Sequence, residues 1–526
     1  MNILAALLAA TLIALASFCH YFIAIKHIGH SVAYALCLFL LVALGGTPGF
    51  AQDGKFSLVL EEVIVTATKR EQSVQDIAVA VTALSGALLE EAQINAAEDL
   101  AFLVPSLNLQ KGFGPGGTSF SIRGKGNTNG SAAAEPSVSG MLDGVVLGGS
   151  GQFFIPLVGV QRVEVLRGPQ GTLFGKNSTA GVVHIITQNP SEEHSGEIMS
   201  TVVNDDEYRA GLTVSGPLTD TLGYRFLAYG SDVAGYTENY FDGDELNGSE
   251  HWSLRGKLRW FPIDKLELKW ASDYSDLSSK PAPPLRSIEP FGGNDAAVQD
   301  ILDMIAPVQP GEENETVNIN RLPFGDSKSW RHSLELNWEI GEFILTSITA
   351  YWRNEGIGTD DRDHQPIDIF GFGQTESGEL DRFTQEFRLT SPADGSLSYV
   401  AGLFYFDQHK ESNARRQLEI FPGQPGIGIM DFEVDTENWA AFGEVTWHIA
   451  HNWRLTLGAR YTEDELGFLI GRTAEGFPEG IPDPVDPTPG STDESDLSGK
   501  LALQWDYNDV GMTYLSFAQG YKGPAF

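Results

Sequence analysis

The chain has 526 residues, and its 70 acidic residues against 34 lysines and arginines give a formal net charge of −36. This acidity argues against nucleic-acid binding, which requires a basic surface. Glycine is abundant, with 58 residues, aromatic side chains make up 10% of the chain, and no long apolar run occurs after residue 51. Such a composition favours many strands and turns over packed helices.

The first 51 residues differ from the rest of the chain. Their single charged side chain is Lys26, and the apolar stretch 31–46 is followed by small residues. This pattern is typical of an export signal that is cleaved after Ala51. The alternative is a pair of membrane-spanning helices, because residues 1–25 form a second apolar run of sufficient length. Both cysteines lie in this leader, so the predicted mature chain has no disulfide and no thiol nucleophile.

A short segment, 52–70, follows the leader and contains the sequence EEVIVTA. Its β-branched residues Val63, Ile64 and Val65 favour extended backbone, and the two glutamates before them keep the segment soluble. The pattern predicts an exposed strand at the start of the mature chain. The alternative interpretation is that this strand is the first strand of the domain that follows.

Residues 71–190 are predicted to form a small α+β domain. The stretch 85–104 (SGALLEEAQINAAEDLAFLV) is helix-like, and short strands with glycine turns follow it. Gly supplies positive φ in such turns at little cost.

The remainder, 191–526, is predicted to be a ladder of antiparallel strands. In WRLTLGARYT, for example, Trp453, Leu455 and Leu457 alternate with Arg454 and Thr456, and this period of two with one apolar face indicates a β-strand. The pattern predicts about thirteen strands, near 196–204, 207–216, 222–232, 249–261, 265–275, 328–339, 342–354, 379–391, 396–409, 435–449, 452–464, 494–507 and 510–522.

The connections between these strands distinguish two kinds of β-protein. Tight turns follow the even-numbered strands, whereas long loops follow the third, fifth, seventh, ninth and eleventh, the longest spanning 276–327. A soluble sandwich also alternates in polarity, but it has no reason to separate its loop lengths. The alternation favours a transmembrane β-barrel, with short turns on the periplasmic side and long loops outside.

The predicted α+β domain carries motifs that resemble one family. The stretches SFSIRGKG, EPSVSGMLDGVVLG and VQRVEVLRGPQGTLFGKNSTAGVVHIITQNP occur in order and are similar to the plug of TonB-dependent outer-membrane receptors. The resemblance implies a plug inside a 22-stranded barrel in a Gram-negative outer membrane. It further implies active uptake of a scarce extracellular ligand, such as a ferric siderophore or similar metal complex, with no enzymatic activity, catalytic residues, cofactor or resident metal.

The resemblance also gives the segment EEVIVTA a role. In the family a TonB box near the N-terminus is grasped by the periplasmic protein TonB, which transmits energy from the inner membrane. Physically, an extended peptide adds a strand to the sheet of its partner. The residues that resemble this box are Glu62, Val63, Ile64, Val65, Thr66 and Ala67.

Plug–barrel coupling residues are implied in the same way. Arg123 and Arg167 match plug arginines that face barrel carboxylates in the family. The strand alternation puts Glu386 and Glu444 in the lumen, because an acid that faces lipid would be destabilising. Arg–carboxylate pairs are strong and geometrically specific, so we expect the two arginines to pair with these acids. The alternative is that all four are solvated lumen charges.

The chain departs from the family in its strand count. Thirteen strands fall short of the 22 of plugged transporters, and we expect a C-terminally truncated chain, because an open strand edge is not viable in lipid. Two alternatives to uptake therefore stay open: an outer-membrane protein that does not transport, or a non-functional truncated receptor.

Overall fold

The computed structural model describes residues 63–110, 119–126, 135–148, 155–204, 206–288, 295–361, 364–367, 373–421, 424–476, 484–507 and 511–525. The predicted leader and Glu62 lie outside these residues. Among the described helices, none has the length and apolar character needed to cross a membrane.

Short elements form the region up to residue 190. In chain order they are β1 (Ile64–Val65), β2 (Gln72–Ser73), β3 (Ala80–Ser85), α1 (Gly86–Glu91), a 3-10 turn (Ala97–Asp99), α2 (Leu100–Leu103), β4 (Leu107–Gln110), β5 (Ser119–Ile122), β6 (Lys125–Gly126), β7 (Val138–Leu142), β8 (Val145–Gly148), β9 (Val160–Arg167), α3 (Gly171–Phe174) and β10 (Gly181–Thr187). A five-stranded sheet in the order β3-β9-β10-β7-β8 is its centre.

The predicted helical stretch 85–104 is two short helices rather than one. Ser85 caps α1, since its side chain accepts a hydrogen bond from the backbone N–H of Leu88 at 3.2 Å. Gln93 then has a φ of +55°, a left-handed conformation that ends the helix. The chain resumes helical backbone only at the 3-10 turn and α2.

Both faces of the five-stranded sheet are covered. One face packs with the helices in an apolar cluster that includes Leu89, Leu100 and Val163. The other face carries Leu166 and Val182, and it packs against Val65, near the start of the described chain. This second face therefore joins the N-terminal segment to the centre of the domain.

A large antiparallel sheet with loop elements follows. The elements are β11 (Ser195–Val203), β12 (Glu207–Pro217), β13 (Leu222–Val233), β14 (Thr237–Asn239), β15 (Glu245–Leu246), β16 (Ser249–Ile263), β17 (Leu266–Ser279), α4 (Asp295–Ile305), β18 (Thr316–Val317), β19 (Phe324–Ile340), β20 (Phe343–Asp361), β21 (Gly373–Thr390), β22 (Leu397–Phe421), β23 (Gln424–Ala450), β24 (Trp453–Glu475), β25 (Val485–Asp506) and β26 (Met512–Ala518). Thirteen of these strands pair in chain order, from β11 to β26, and each predicted strand is confirmed.

Two of the predicted long loops are wrong. The ninth and tenth strands, β22 and β23, continue far beyond the predicted ends and pair up to Phe421 and Gln424. The eleventh and twelfth, β24 and β25, extend in the same way. These extensions were missed because their outward residues are charged or polar, so the apolar alternation stops although the strand does not.

The long connections after β13 and β17 fold together. Strands β14, β15 and β18 form a three-stranded sheet, and Leu246, Ala282, Val317 and Ile319 form a small buried cluster beneath it. These connections are therefore an ordered module at the end of the large sheet.

The two faces of the large sheet differ as predicted. Trp439, Val445 and Trp447 are exposed on the outer face, whereas Glu386 and Glu444 are only 7% and 8% exposed on the inner face. The strand alternation thus places both acids on the side that faces the smaller domain.

Candidate functional site

The N-terminal segment is docked rather than free. Val63 and Ile64 are exposed, but Val65 is fully buried and Ala67 is 2% exposed. β1 and β2 form a hairpin in which Val65 lies opposite Gln72. The prediction of an exposed strand is therefore right for the first two residues and wrong for Val65 and Ala67, because the five-stranded sheet offers them an apolar face.

Thr66 lies between these two buried residues and is held by Glu164. The backbone N–H of Thr66 donates to Glu164 Oε1 at 2.8 Å, and the Thr66 hydroxyl donates to the same oxygen at 3.2 Å. Arg162, on the same strand, pairs with Glu164 at 2.8 Å. Glu164 itself has no exposed surface.

Lys69 and Arg70, three and four residues after Thr66, reach the wall of the large sheet. Lys69 Nζ lies 3.1 Å from Glu386 Oε2, and Arg388 also pairs with Glu386 at 2.5 Å. Arg70 donates to the carbonyl oxygen of Ser391 at 2.6 Å, in the turn between β21 and β22. The segment that follows the predicted TonB box is thus fixed to the wall by charge-assisted hydrogen bonds.

A second ion pair joins the smaller domain to the wall. Asp143, in the β7–β8 turn, lies 2.9 Å from Lys257 of β16 and accepts two hydrogen bonds from Thr187. Burial alone would raise the pKa of Asp143, but Lys257 and Thr187 outweigh it and lower that pKa to about 2. Asp143 is therefore ionised at neutral pH.

A third pair and a stacked arginine lie further along the boundary. Lys176 lies 2.7 Å from Asp464 of β24 and 3.1 Å from Glu135. Arg382 of β21 stacks on Trp352, with its guanidinium carbon 4.8 Å from the ring centre. Cation–π contacts of this kind hold a charged group among aromatic side chains.

The expected arginine–glutamate pairs are wrong. Arg167 instead donates to Ser106 Oγ at 2.8 Å and to Thr82 Oγ1, within the smaller domain. Arg123 is exposed in the turn between β5 and β6, and within the described chain neither arginine forms an ion pair with the two wall acids. The reason is their position, because Arg167 ends a strand next to Ser106 of the same domain and Arg123 lies in an exposed turn.

Of the two acids, Glu386 has a described ion pair across the boundary, with Lys69. Glu444 lies 2.9 Å from Lys500, and both belong to the wall. Sequence reasoning missed Lys69, Arg70 and Lys257 as crossing residues. For Lys257 there was a signal, because it lies on the polar face of the predicted fourth strand.

The described contacts across this boundary are hydrogen bonds, ion pairs and apolar packing. Among the described residues, no three His, Cys, Asp or Glu side chains lie close enough to hold a metal ion. The described geometry includes a docked N-terminal segment and ion pairs between two folded parts, among them Lys69–Glu386, Asp143–Lys257 and Lys176–Asp464.

Comparison with known families assigns both parts. A family model described as TonB-dependent receptor plug domain matches residues 73–182. A second, described as TonB dependent receptor-like, beta-barrel, matches residues 293–526. The chain belongs to the TonB-dependent receptor family. The family locates it in the outer membrane, with the five-stranded domain as the plug and the large sheet as barrel wall.

Individual relatives agree with the assignment. The pesticin receptor of Yersinia pestis is 24% identical over 490 residues, which cover 91% of this chain and 67% of the relative. The crystal structure of the ferric yersiniabactin uptake receptor FyuA from Yersinia pestis has a TM-score of 0.72 at 23% identity, over 84% of this chain and 65% of that one. The ferripyoverdine receptor of Pseudomonas aeruginosa has a TM-score of 0.67 at 15% identity, over 87% and 59%.

The matches cover only part of the length of each relative, so the activity of a whole relative is a proposal for this chain. The chain spans between 59% and 67% of the length of the relatives named above. The matching structures establish the fold of the plug and of the thirteen wall strands.

Proposed function

We propose that this receptor carries out TonB-dependent uptake of a ferric siderophore or similar metal chelate across the outer membrane. The observation that carries the proposal is the docked segment 63–70, which is attached to both plug and wall. The printed names of two relatives, a ferric yersiniabactin uptake receptor and a ferripyoverdine receptor, support an iron chelate as the ligand.

The partner in this proposal is TonB, which would bind the predicted TonB box. Val63 and Ile64 are exposed, so they offer backbone for the first contacts of strand addition. Val65 and Thr66 become available only when the segment leaves the plug sheet. Release of the segment is therefore the step that TonB binding and uptake both require.

Coupling between plug and wall follows from Glu386. When the segment is withdrawn, Lys69 leaves Glu386, and one contact between plug and wall is lost with it. Breaking this buried contact costs free energy, although Glu386 keeps Arg388 as a partner and the cost is therefore below the about 3–5 kcal/mol measured when a buried charge is left with no partner. A pull of sufficient energy is thus needed, as expected for an energised partner.

The test is uptake of radioactive iron as ferric yersiniabactin and ferripyoverdine, measured in cells that lack their own receptors for these chelates. We expect uptake with the native chain and none after Val65→Pro, because proline removes a backbone N–H needed for strand addition. The matched control is Asp220→Pro in the exposed β12–β13 turn, which should retain uptake.

A second arm uses cells without TonB. Uptake of either chelate that continues there would contradict the proposal, since a passive pore needs no energised partner. Failure of the native chain to take up iron from a panel of siderophores, while it is folded in the outer membrane, would favour a protein that does not transport.

A further inference from the structure

An acid lies at the centre of the buried sheet face of the plug. Glu164 is in the middle of β9, with Ala83 opposite it on β3 and His184 opposite it on β10. Its side chain has no exposed surface, and Leu166 on the same face belongs to an apolar cluster. A carboxylate in such a place is costly unless hydrogen-bond partners compensate it.

Two of the three described donors to Glu164 come from the N-terminal segment. Thr66 supplies two donors to Glu164, its backbone N–H at 2.8 Å and its hydroxyl at 3.2 Å. Arg162 supplies another from the sheet itself, at 2.8 Å. The hydrogen bonds of Glu164 are therefore complete only while residue 66 is docked.

We propose that Glu164 is a positioning residue that holds the TonB box in its docked register and sets how readily it is released. The proposal rests on the proposed function, because it takes residues 63–67 to be the TonB box. It does not require any particular ligand.

The register argument comes from the neighbours of Thr66. Val65 and Ala67 both enter the apolar cluster with Leu166, Phe174 and Val182. A shift of the segment by one residue would place Thr66 in this cluster and take its donors away from Glu164. Glu164 therefore accepts only one alignment of the box.

The residue type at position 66 follows from the same geometry. Only serine and threonine offer a backbone donor together with a hydroxyl donor one bond from Cβ. Serine should replace threonine here, whereas valine keeps the shape and loses the hydroxyl. This pair of substitutions separates hydrogen bonding from packing.

The experiment measures release without TonB or ligand. A Val65→Cys substitution places a thiol at a buried position, and a soluble maleimide labels it only when the segment is undocked. The rate is measured on the full chain in outer-membrane vesicles, and the predicted mature chain has no other cysteine. Binding of the chelate and energisation play no part in the result.

We expect Glu164→Leu to raise the labelling rate at least about tenfold, because the two hydrogen bonds from Thr66 to a charged group are lost. Glu164→Gln keeps one acceptor oxygen and should raise it less. Thr66→Val should also label faster, and Thr66→Ser should return to the parent rate. Rescue by serine would not occur if Thr66 only filled space.

Labelling of Glu164→Leu within twofold of the parent would overturn the proposal, as would equal rates for Thr66→Ser and Thr66→Val. If Glu164→Leu fails to assemble in the membrane, the two Thr66 variants and Glu164→Gln decide the question. Expected labelling together with unchanged uptake after Val65→Pro would uphold Glu164 as the docking residue and refute the proposed function instead.

Discussion

At the scale of single residues, the plug keeps polar groups in places where their ionisation matters. His184 is buried beside Glu164, and its Nε2 accepts a hydrogen bond from the backbone N–H of Gly144 at 3.1 Å. Protonation of Nε2 would remove that acceptor and place a charge inside the sheet. Burial therefore lowers the pKa of His184 from 6.5 to about 4.

The first prediction is that acid weakens the plug through His184. The unfolded histidine takes up a proton near pH 6.5 and the folded one only near pH 4, so this contribution to stability is present above pH 6.5 and is lost as the pH falls to about 4. The full loss is on the order of 3 kcal/mol, since each pKa unit is worth about 1.4 kcal/mol. This loss of stability is measured as the fall in hydrogen-exchange protection of the β10 amides between pH 7.5 and 4.5.

The control for this prediction is His184→Gln, whose side-chain oxygen can still accept from Gly144 and which does not titrate. Other charged groups that act on His184 are Glu164, Lys69, Asp143 and Arg162, and they remain in both proteins. An equal loss of protection in the native chain and in His184→Gln would assign the acid sensitivity to those groups instead.

At the scale of elements, the β22–β23 hairpin combines two environments. On the outer face of β22, Leu403 is exposed and apolar. Glu411 lies further along the same face, and its carboxylate is 3.0 Å from Nε2 of His409. The apolar portion suits a lipid boundary and the charged portion an aqueous one. The change in outward residues thus marks where the wall leaves the membrane while the strands continue.

The second prediction compares two substitutions on that one face. Leu403→Arg should destabilise the membrane-inserted sheet by about 2–4 kcal/mol, the cost of an arginine near the bilayer midplane. Glu411→Arg, in the charged portion, loses only an exposed pair with His409 and should change stability by about 1 kcal/mol or less. Urea unfolding of the protein in lipid vesicles measures both. Equal costs at the two positions would place the lipid boundary elsewhere.

Elements of this kind were largely predictable from the sequence, and the contacts between domains were not. All thirteen wall strands could be found because alternation with period two is local, and the same alternation placed Glu386 and Glu444 inside. The partner of Glu386 is Lys69, more than 300 residues away in the chain. Which basic side chain pairs with which acid depends on how the plug docks against the wall, and no local sequence pattern contains that information.

At the scale of the whole molecule, the plug is held by separate attachments rather than by one. The described ion pairs that cross to the wall involve β16, β21 and β24, which are spread around the sheet. Only Lys69 lies in the segment that follows the predicted TonB box. Of these three pairs, a pull on the N-terminus reaches Lys69–Glu386 first, after the contacts of Val65 and Thr66 with the plug, and the other two pairs can stay closed.

The last prediction is that Lys69 and Glu386 are energetically coupled. Lys69→Met and Glu386→Gln should each destabilise the docked segment, and the double variant should lose less than the sum, with a coupling of about 1–3 kcal/mol. Glu386→Gln should destabilise the docked segment more than Lys69→Met does, because Lys69 and Arg388 then lie together without an acid. The measurement is the protection of the β1 and β2 amides from hydrogen exchange in the native chain, the two single variants and the double variant.

The exposed outer pair Arg353–Glu379 is the control, with an expected coupling of about 0–1 kcal/mol. A coupling for Lys69–Glu386 no larger than that of the control would mean that the pair does not hold the segment to the wall, and that release depends on the plug sheet alone.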